Sequence, residues 1–434
     1  MEKWEQQLKN DVNTSLPTEL EQRISKTLQQ LPRKKRRSKF IYGLSAAALA
    51  LIVTTSLPFI SPTIAETMKN LPVVGSAFEF VGNIGMKKGA DDGLATSLGE
   101  QIEFDGHLVT FTETLYDGGE IHLGYIIEMI DPTQPPNFLG NFFELFINGK
   151  PAGSYGMGGN EEEVKEGMYI GAISIRLRED VPDSFLLGLR PNESRSWFVQ
   201  LPVEKQGDQK SFLVNQKRET NELAIVYDKV TFFPTSTELT LRLIMDEEAF
   251  FNDHFMLLDY LVTDDQGRVL QPFSGGGGGN GPENGKVTHT FEQYFEPLDT
   301  VPSSITIRPY LGDFKDTAPN IIRKKWINDE LTLSQGEMGE ITFLDVIKSD
   351  DVFTLSYEVS GIDAYRQANA FWLEDGDGNR YHSLKPALRV DGTNHQYQSS
   401  FETTLPIEEL YITTIKMNAP NFLEELEIII DLDR

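Results

Sequence analysis

The 434-residue sequence contains no cysteine. Disulfide bonds, thiolate metal sites and cysteine nucleophiles are therefore excluded. A multidomain protein of the eukaryotic secretory route usually carries disulfides, so large exported domains without cysteine are more typical of a bacterial surface. The absence favours a Gram-positive cell envelope as the location of any exported part.

Signatures of catalysis are also missing. The chain has no Gly-x-Ser-x-Gly, His-Glu-x-x-His or Ser-x-x-Lys motif, and its six histidines are scattered. His107 and His122 are predicted to face each other across a hairpin, but two histidines without a third ligand make a weak zinc site. We therefore expect no enzymatic activity and no cofactor.

One segment resembles part of a calcium loop, Asp375-Gly-Asp-Gly-Asn379. It lacks the bidentate glutamate that an EF-hand requires. Asn148-Gly149 and Asp264-Asp-Gln-Gly267 occupy the corresponding place in two other parts of the chain, and such pairs supply the positive φ angles of hairpin turns. Turn formation is the favoured interpretation, and weak calcium binding is the alternative.

Positively charged residues are scarce in most of the chain. The net charge is −27, yet residues 1–39 carry ten Lys/Arg against five Asp/Glu, so the remainder has 29 basic and 61 acidic residues. A strongly acidic surface repels the phosphates of nucleic acid. We expect no nucleic-acid partner for the acidic part.

An uncharged segment follows the basic end of that N-terminal region. Residues 40–60 lack any charge and, as a helix, are long enough to cross the roughly 30 Å hydrocarbon core of a bilayer. We predict a transmembrane helix at residues 40–61 in contact with membrane lipid. A cleaved secretory signal ending near Thr63-Ile64-Ala65 is the alternative. Six cations precede the helix and predict a cytoplasmic N-terminus by the positive-inside rule: Arg33, Lys34, Lys35, Arg36, Arg37 and Lys39.

The predicted cytoplasmic segment, residues 1–39, contains one amphipathic helix. Thr18 and Glu21 have capping-box spacing, and Pro32 ends the helix. A single helix of this length is marginal in water and needs a partner to cover its apolar stripe. The predicted partner-binding residues are spaced along one face: Leu16, Leu20, Ile24, Leu28 and Leu31.

Residues 62–98 are predicted to form a juxtamembrane helical segment of one or two short helices. Proline and glycine interrupt it, and its apolar residues lie between Val73 and Val81. The segment either lies on the outer leaflet or packs against the first folded domain, and we favour packing.

From residue 99 onward, short strands of alternating polarity recur three times. Aligning Val109, Val230 and Ile341 brings three similar strand pairs into register, and each is followed by a hairpin and a proline-containing loop. The pattern predicts a mainly β protein with tandem immunoglobulin-like β-sandwiches outside a single N-terminal transmembrane helix. The predicted domains are residues 99–208, 209–325 and 326–434.

Two glycine-rich segments interrupt this pattern, at residues 153–167 and 271–286. Glycine loses more conformational freedom on folding than any other residue, so a run of five glycines favours a mobile loop. We predict both segments to be loops.

Several of these motifs resemble a family of Gram-positive membrane proteins catalogued as domain of unknown function 4179, often followed by the immunoglobulin-like module catalogued as 5643. The resemblance rests on Leu16-Pro-Thr-Glu-Leu20 with the basic run, Ser61-Pro-Thr-Ile-Ala-Glu66, Leu71-Pro-Val-Val-Gly75 and the strand pair near Val109. It is most convincing over residues 1–130. It implies an anti-sigma factor or another negative effector of an extracytoplasmic-function sigma factor.

The sequence thus predicts a single-pass cell-membrane regulator whose cytoplasmic helix binds a sigma factor and whose C-terminal domains are extracellular. The alternative is a cell-surface or cell-wall-associated interaction protein with no regulatory role, in which the sandwiches present the glycine-rich segment or their sheet faces to the cell wall or another protein. Neither interpretation identifies the signal.

Overall fold

The computed structural model describes residues 76–130, 136, 138–140, 143–192, 197–251, 258–312, 320–326 and 330–433. The predicted transmembrane helix at 40–61 and the N-terminal helix lie outside these ranges. Among the described residues, no helix is both long and apolar enough to cross a membrane. The described chain is mainly β, as predicted, and its strands form six antiparallel sheets.

The described residues form four short α-helices: α1 is Ala77–Val81, α2 is Ile84–Asp91, α3 is Glu247–Phe251 and α4 is Ala364–Ala368. Ser76 and Asn83 cap α1 and α2, because the Ser76 Oγ accepts from Phe78 N and the Asn83 side chain accepts from Met86 N. Gly82 separates the two helices. The described part of the predicted juxtamembrane segment thus contains two short helices, but Thr96–Ser97 near its end form a strand.

Residues 96–204 form a first pair of sheets. Its strands are β1 Thr96–Ser97, β2 Gln101–Phe104, β3 His107–Tyr116, β4 Ile121–Met129, β5 Phe143–Ile147, β6 Lys150–Pro151, β7 Tyr155–Lys165, β8 Met168–Leu177, β9 Ser184–Pro191 and β10 Val199–Glu204. One sheet has the order β1-β3-β4-β8-β7 with β2 also paired to β3, and the other has the order β10-β9-β5-β6. Inward side chains of both sheets share one hydrophobic core, so we call the pair the first sandwich.

The second sandwich begins with β11 Lys210–Glu219, β12 Leu223–Phe232, β13 Thr237–Asp246, β14 Leu258–Asp264, β15 Pro272–Glu283, β16 Lys286–Phe295 and β17 Ser304–Leu311. Its larger sheet has the order β11-β12-β13-β16-β15. Its smaller sheet contains β14 and β17 and two strands from the end of the chain, β27 Asn421–Phe422 and β28 Ile428–Asp431.

The third sandwich lies between these parts in sequence. Its strands are β18 Asn320–Lys325, β19 Leu331–Ser334, β20 Gly339–Ser349, β21 Val352–Gly361, β22 Phe371–Glu374, β23 Arg380–Tyr381, β24 Leu388–Arg389, β25 Gln396–Glu402 and β26 Tyr411–Lys416. The sheets have the orders β19-β20-β21-β25-β24 and β18-β26-β22-β23 and enclose a core of their own.

The C-terminal strands return to the second sandwich. Ile428 and Ile430 pair with Ile307 and Ile305 of β17 and are buried in the second core together with Leu426. β18, in turn, pairs with β26 of the third sandwich. The smaller sheet of the second sandwich is therefore completed by strands about 100 or more positions beyond β17. The division into independent domains at 209–325 and 326–434 stays a prediction.

The same strand pair occurs in all three sandwiches, but the predicted register of the second copy is wrong by five residues. A one-residue bulge follows Phe111, Tyr227 and Phe343, which are spaced by 116 residues and fully buried. Ile225, not Val230, thus occupies the position of Val109 and Ile341. The sequence Val230-Thr-Phe resembles Val109-Thr-Phe, but pairing with β13 sets the register.

Both glycine-rich segments are edge strands, so the prediction of loops is wrong. β15 pairs along its length with β16, and β7 pairs with β8. β15 can be glycine-rich because side chains of the first sandwich cover it: a Cβ on Gly276 would lie 2.9 Å from Nη1 of Arg176, and one on Gly278 would lie 2.8 Å from Nη1 of Arg178.

The predicted hairpin turns are confirmed. Asn148 and Gly149 have φ angles of 50° and 77°, and Gly267 and Gly378 have φ angles of 75° and 90°. The two histidines predicted to face each other do not, because His107 pairs with Met129 and His122 pairs with Leu115 at the opposite end of the hairpin.

Candidate functional site

The residues predicted to bind a partner and to orient the membrane helix all lie outside the described residues. The stripe at Leu16, Leu20, Ile24, Leu28 and Leu31 stays a prediction, as does the basic cluster at Arg33, Lys34, Lys35, Arg36, Arg37 and Lys39. The described chain offers a different candidate site, where α1 and α2 meet the sandwiches.

Helix α1 is anchored to the first sandwich by a buried carboxylate. Glu113 of β3 accepts hydrogen bonds from the Ser76 hydroxyl at 2.7 Å and from the Phe78 backbone N–H at 3.2 Å. Phe78 is fully buried and lies edge-on to His122 of β4, with ring centroids 6.3 Å apart. The juxtamembrane segment was predicted either to lie on the outer leaflet or to pack against the first folded domain. Residues 76–91 pack against that domain.

Burial shifts the pKa of both groups beneath α1. It lowers the pKa of His122 to about 4, opposed by Asp117, so the imidazole is neutral at neutral pH. It raises the pKa of Glu113, and the hydrogen bonds from Ser76 and Phe78 oppose that rise. The Nδ1 of His122 lies 3.1 Å from Ser174 Oγ, which orients the ring.

The two helices also contact the other sandwiches. Lys88 of α2 forms an ion pair with Asp299 of the second sandwich at 2.8 Å, and Lys385 of the third sandwich donates to the Phe80 carbonyl at 2.8 Å. A Cβ on Gly85 would lie 2.1 Å from the Thr235 carbonyl oxygen, so only glycine allows this close approach of α2 to the second sandwich. Asp299 is exposed, and its ion pair contributes little energy. The helices therefore touch all three sandwiches.

A cavity of about 590 Å³ opens beside these helices, and we call it the junction cavity. Its wall includes Phe80 and Lys87 of the helical segment, Glu161 of β7, Phe273 of β15 and Leu388 of β24. The volume falls in the range of small-molecule sites, which combine apolar walls with a few polar groups.

The first and second sandwiches meet at Arg176. Its Nη2 contacts Glu120 of the first sandwich at 2.7 Å and Ser274 of the second at 2.7 Å, and its guanidinium stacks 4.1 Å from the ring of Tyr294. Burial raises the pKa of Glu120, and Arg176 opposes that rise. Nearby, Asp117 accepts from the backbone N–H of Thr235 at 3.0 Å.

The second and third sandwiches meet at Arg389. Its Nη2 lies 3.0 Å from Glu296 and 2.6 Å from the Val269 carbonyl oxygen, both in the second sandwich. The side chains of Arg389 and Glu296 are almost fully buried. Burial raises the pKa of Glu296, with Arg389 opposing, and Gln271 N–H also donates to this carboxylate.

The described residues show no site for a metal. Within the part of the chain that the structure describes, no group of three or more His, Asp and Glu side chains could hold an ion. The Asp375 carboxylate accepts hydrogen bonds from within its own turn, namely from Asp377 N–H, Asn379 N–H and the Asn379 side chain. Those bonds explain the turn without calcium.

Sequence reasoning did not identify Arg176, Arg389, Lys87 or the cavity. These residues are far apart in the chain and follow no spacing rule, and Arg176 and Arg389 lie in otherwise ordinary strand patterns. The only available signal was the glycine-rich strand, whose missing side chains leave room for the arginines of β8.

Comparison with known proteins gives matches over parts of the chain. Residues 35–129 match the family described as "Domain of unknown function (DUF4179)", and residues 209–334 match the "Family of unknown function (DUF5643)". Over 92 residues the chain is 37% identical to the anti-sigma-V factor RsiV of Bacillus subtilis (strain 168), which is 21% of this chain and 32% of that protein. The match thus spans about a third of the length of that relative.

Two solved structures show distant likeness. A conserved domain protein from Bacillus anthracis is 18% identical, with a TM-score of 0.39, over 58% of this chain and 85% of that chain. A structure of the N-terminal eight immunoglobulin domains of Down Syndrome Cell Adhesion Molecule is 10% identical, with a TM-score of 0.15, over 75% and 36%. Neither TM-score carries an argument about this fold. The resemblance drawn from the sequence is confirmed by these matches, to the DUF4179 family at residues 35–129 and to the DUF5643 family at residues 209–334, in a chain that is similar over 92 residues to an anti-sigma factor.

Proposed function

We propose that this protein is a single-pass membrane regulator of the anti-sigma type. In this proposal the helix around Leu16 to Leu31 binds an extracytoplasmic-function sigma factor in the cytoplasm, residues 40–61 cross the membrane, and the three sandwiches, immunoglobulin-like in kind, lie outside the cell. The observation that carries the proposal is the 37% identity to an anti-sigma factor over 92 residues.

Three features of the chain support this arrangement. The apolar stripe at residues 16–31 needs a partner, and the six cations before the uncharged segment favour a cytoplasmic N-terminus. Helices α1 and α2 follow soon after the predicted span in sequence and contact all three sandwiches. A change in how the sandwiches pack would therefore act on the segment next to the membrane helix.

The proposal includes no catalytic step and no cofactor. In the alternative, a surface interaction protein, the sheet faces of the sandwiches and not the glycine-rich segment as a loop would contact the cell wall or another protein. That segment is the strand β15, and Arg176 and Arg178 of the first sandwich lie against it.

The test is capture of a sigma factor from membranes. The double variant Leu20→Asp with Ile24→Asp places two carboxylates on the apolar stripe, and we expect loss of the co-purified sigma factor. Gln22→Asp with Ser25→Asp adds the same charge to the opposite face of the predicted helix and should leave capture unchanged. Equal capture by wild type and both variants would overturn the proposal.

A further inference from the structure

The junction cavity has an apolar surface that water reaches. Leu384 and Leu388 are 51% and 50% exposed, although most large apolar side chains of the third sandwich are buried. Both line the cavity with the rings of Phe80, Phe273 and Tyr365. Exposed apolar side chains that cluster around a concave site mark binding surfaces more often than single exposed leucines do.

The cavity also contains an ammonium group that forms no ion pair with any residue that the structure describes. Lys87 of α2 is half-buried, and among the described residues no carboxylate forms an ion pair with it. Burial lowers the pKa of Lys87, and the charge of nearby Lys385 lowers it further. Two cations close together, neither of them in an ion pair among the described residues, favour an anion between them.

The acidic residues of the cavity do not supply that anion. Glu161 accepts a hydrogen bond from the Tyr125 hydroxyl at 2.7 Å, and burial raises its pKa. Glu162 is exposed, and no ion pair joins it to either lysine in the part of the chain that the structure describes. The wall therefore offers rings and leucines for an apolar body and Lys87 for an acidic headgroup.

We propose that the junction cavity binds a small anionic amphiphile, with its apolar body against Phe80, Phe273 and Leu388 and its carboxylate or phosphate at Lys87. Such a ligand touches the α1–α2 segment and all three sandwiches at once. The site does not depend on the proposed function, whereas its role as an input to a regulator rests on that function.

The experiment uses the full chain in lipid nanodiscs with a matched pair of photoreactive probes. 4-Benzoylbenzoate carries a carboxylate, and 4-(hydroxymethyl)benzophenone is its uncharged counterpart. After irradiation, peptide mapping by mass spectrometry should place saturable labelling by the anionic probe on residues 80–87 and 384–388. Octanoate or octyl phosphate should displace it, and which of them does so identifies the headgroup.

The variant Lys87→Met removes the charge and keeps the length of the side chain. We expect about tenfold weaker labelling by the anionic probe, since a hydrogen bond to a charged group contributes at least that factor. Labelling by the neutral probe should not change, which also shows that the cavity still forms. Lys150→Met, at an exposed hairpin, is the matched control.

Equal labelling of wild type and Lys87→Met by the anionic probe would overturn the proposal, as would labelling confined to other peptides or failure of both competitors. These outcomes are separate from the sigma-factor test. Probe binding that depends on Lys87 stands even if residues 16–31 capture no sigma factor, and capture stands even if the cavity is empty of ligand.

Discussion

The two junctions between neighbouring sandwiches are built on buried arginines, but they divide the charges differently. At the first junction, Arg176 and its partner Glu120 both belong to the first sandwich, and the second sandwich contributes the neutral groups Ser274 and Tyr294. At the second junction, Arg389 belongs to the third sandwich and Glu296 to the second. Separation at the first junction would leave this ion pair intact, whereas separation at the second would split one.

The path of the chain strengthens the same contrast. A single connection between β10 and β11 leads from the first sandwich to the second, while the third is entered after β17 and left before β27. Because β27 and β28 complete the smaller sheet of the second sandwich, the second and third sandwiches share sequence as well as surface. We infer that the first sandwich can move relative to the others at a lower free-energy cost.

The largest expected effect comes from ending the chain after Pro420. This removes Leu426, Ile428, Ile430 and Leu432, all buried in the second core, and leaves the Tyr227 hydroxyl without the Leu426 carbonyl oxygen. At about 2 kcal/mol for each buried side chain, the loss approaches the whole stability of an ordinary domain. Hydrogen exchange should become fast in β12 and β13 and change less in β20 and β21.

Single substitutions in β28 test the effect of burial without shortening the chain. Ile428→Ala should destabilise the second sandwich by about 2–5 kcal/mol, and Ile429→Ala, whose side chain is 65% exposed, by less than about 0.5 kcal/mol. If exchange in the third sandwich rises first, the assignment of the C-terminal strands to the second is wrong.

The next effect is expected at the arginines. Arg389→Met leaves Glu296 buried without its cation, at a cost of about 3–5 kcal/mol in the free energy of unfolding. Exchange should rise in both the second and third sandwiches. Arg176→Met leaves Glu120 unpaired, and the rise should be greatest in the first sandwich, since both members of that pair belong to it.

Two further variants control for charge and for burial. Adding Glu296→Gln to Arg389→Met should recover most of the stability, because no buried charge is left. Arg380→Met removes an exposed arginine of the third sandwich and should have little effect. Equal exchange patterns in Arg389→Met and Arg176→Met would contradict the difference between the junctions.

The smallest effect concerns the glycine-rich strand at the first junction. Gly276→Ala places a methyl group 2.9 Å from Nη1 of Arg176 and should cost about 1 kcal/mol, measured by chemical denaturation. Gly158→Ala is the matched control on the other glycine-rich strand, because a Cβ there meets nothing within 4 Å. If both variants have the same free energy of unfolding, Arg176 can be accommodated beside a side chain at position 276.

These strands show where local sequence was a poor guide. Five consecutive glycines favour a loop when only the chain's own freedom is considered, and β15 forms a strand because β16 pairs with it and two arginines cover it. The repeated Val-Thr-Phe motif suggested an alignment that differs by five positions from the one given by the bulges after Phe111, Tyr227 and Phe343. In both cases the pairing of strands decides the outcome, and not the preference of the segment by itself.

The sequence by itself determined the mainly β character, the recurring strand pair and its turns, since alternation of polar and apolar side chains and Asn-Gly or Asp-Gly pairs act within a few residues. It also determined the family resemblance. Only the tertiary structure decided the register of the second copy, the return of the C-terminal strands, and the meeting of α1, α2 and three sandwiches around a cavity. The register depends on how β12 pairs with the next strand, β13, whereas the other two features depend on pairings between residues about 100 or more positions apart. Local patterns do not specify which partner completes a sheet or covers a charge.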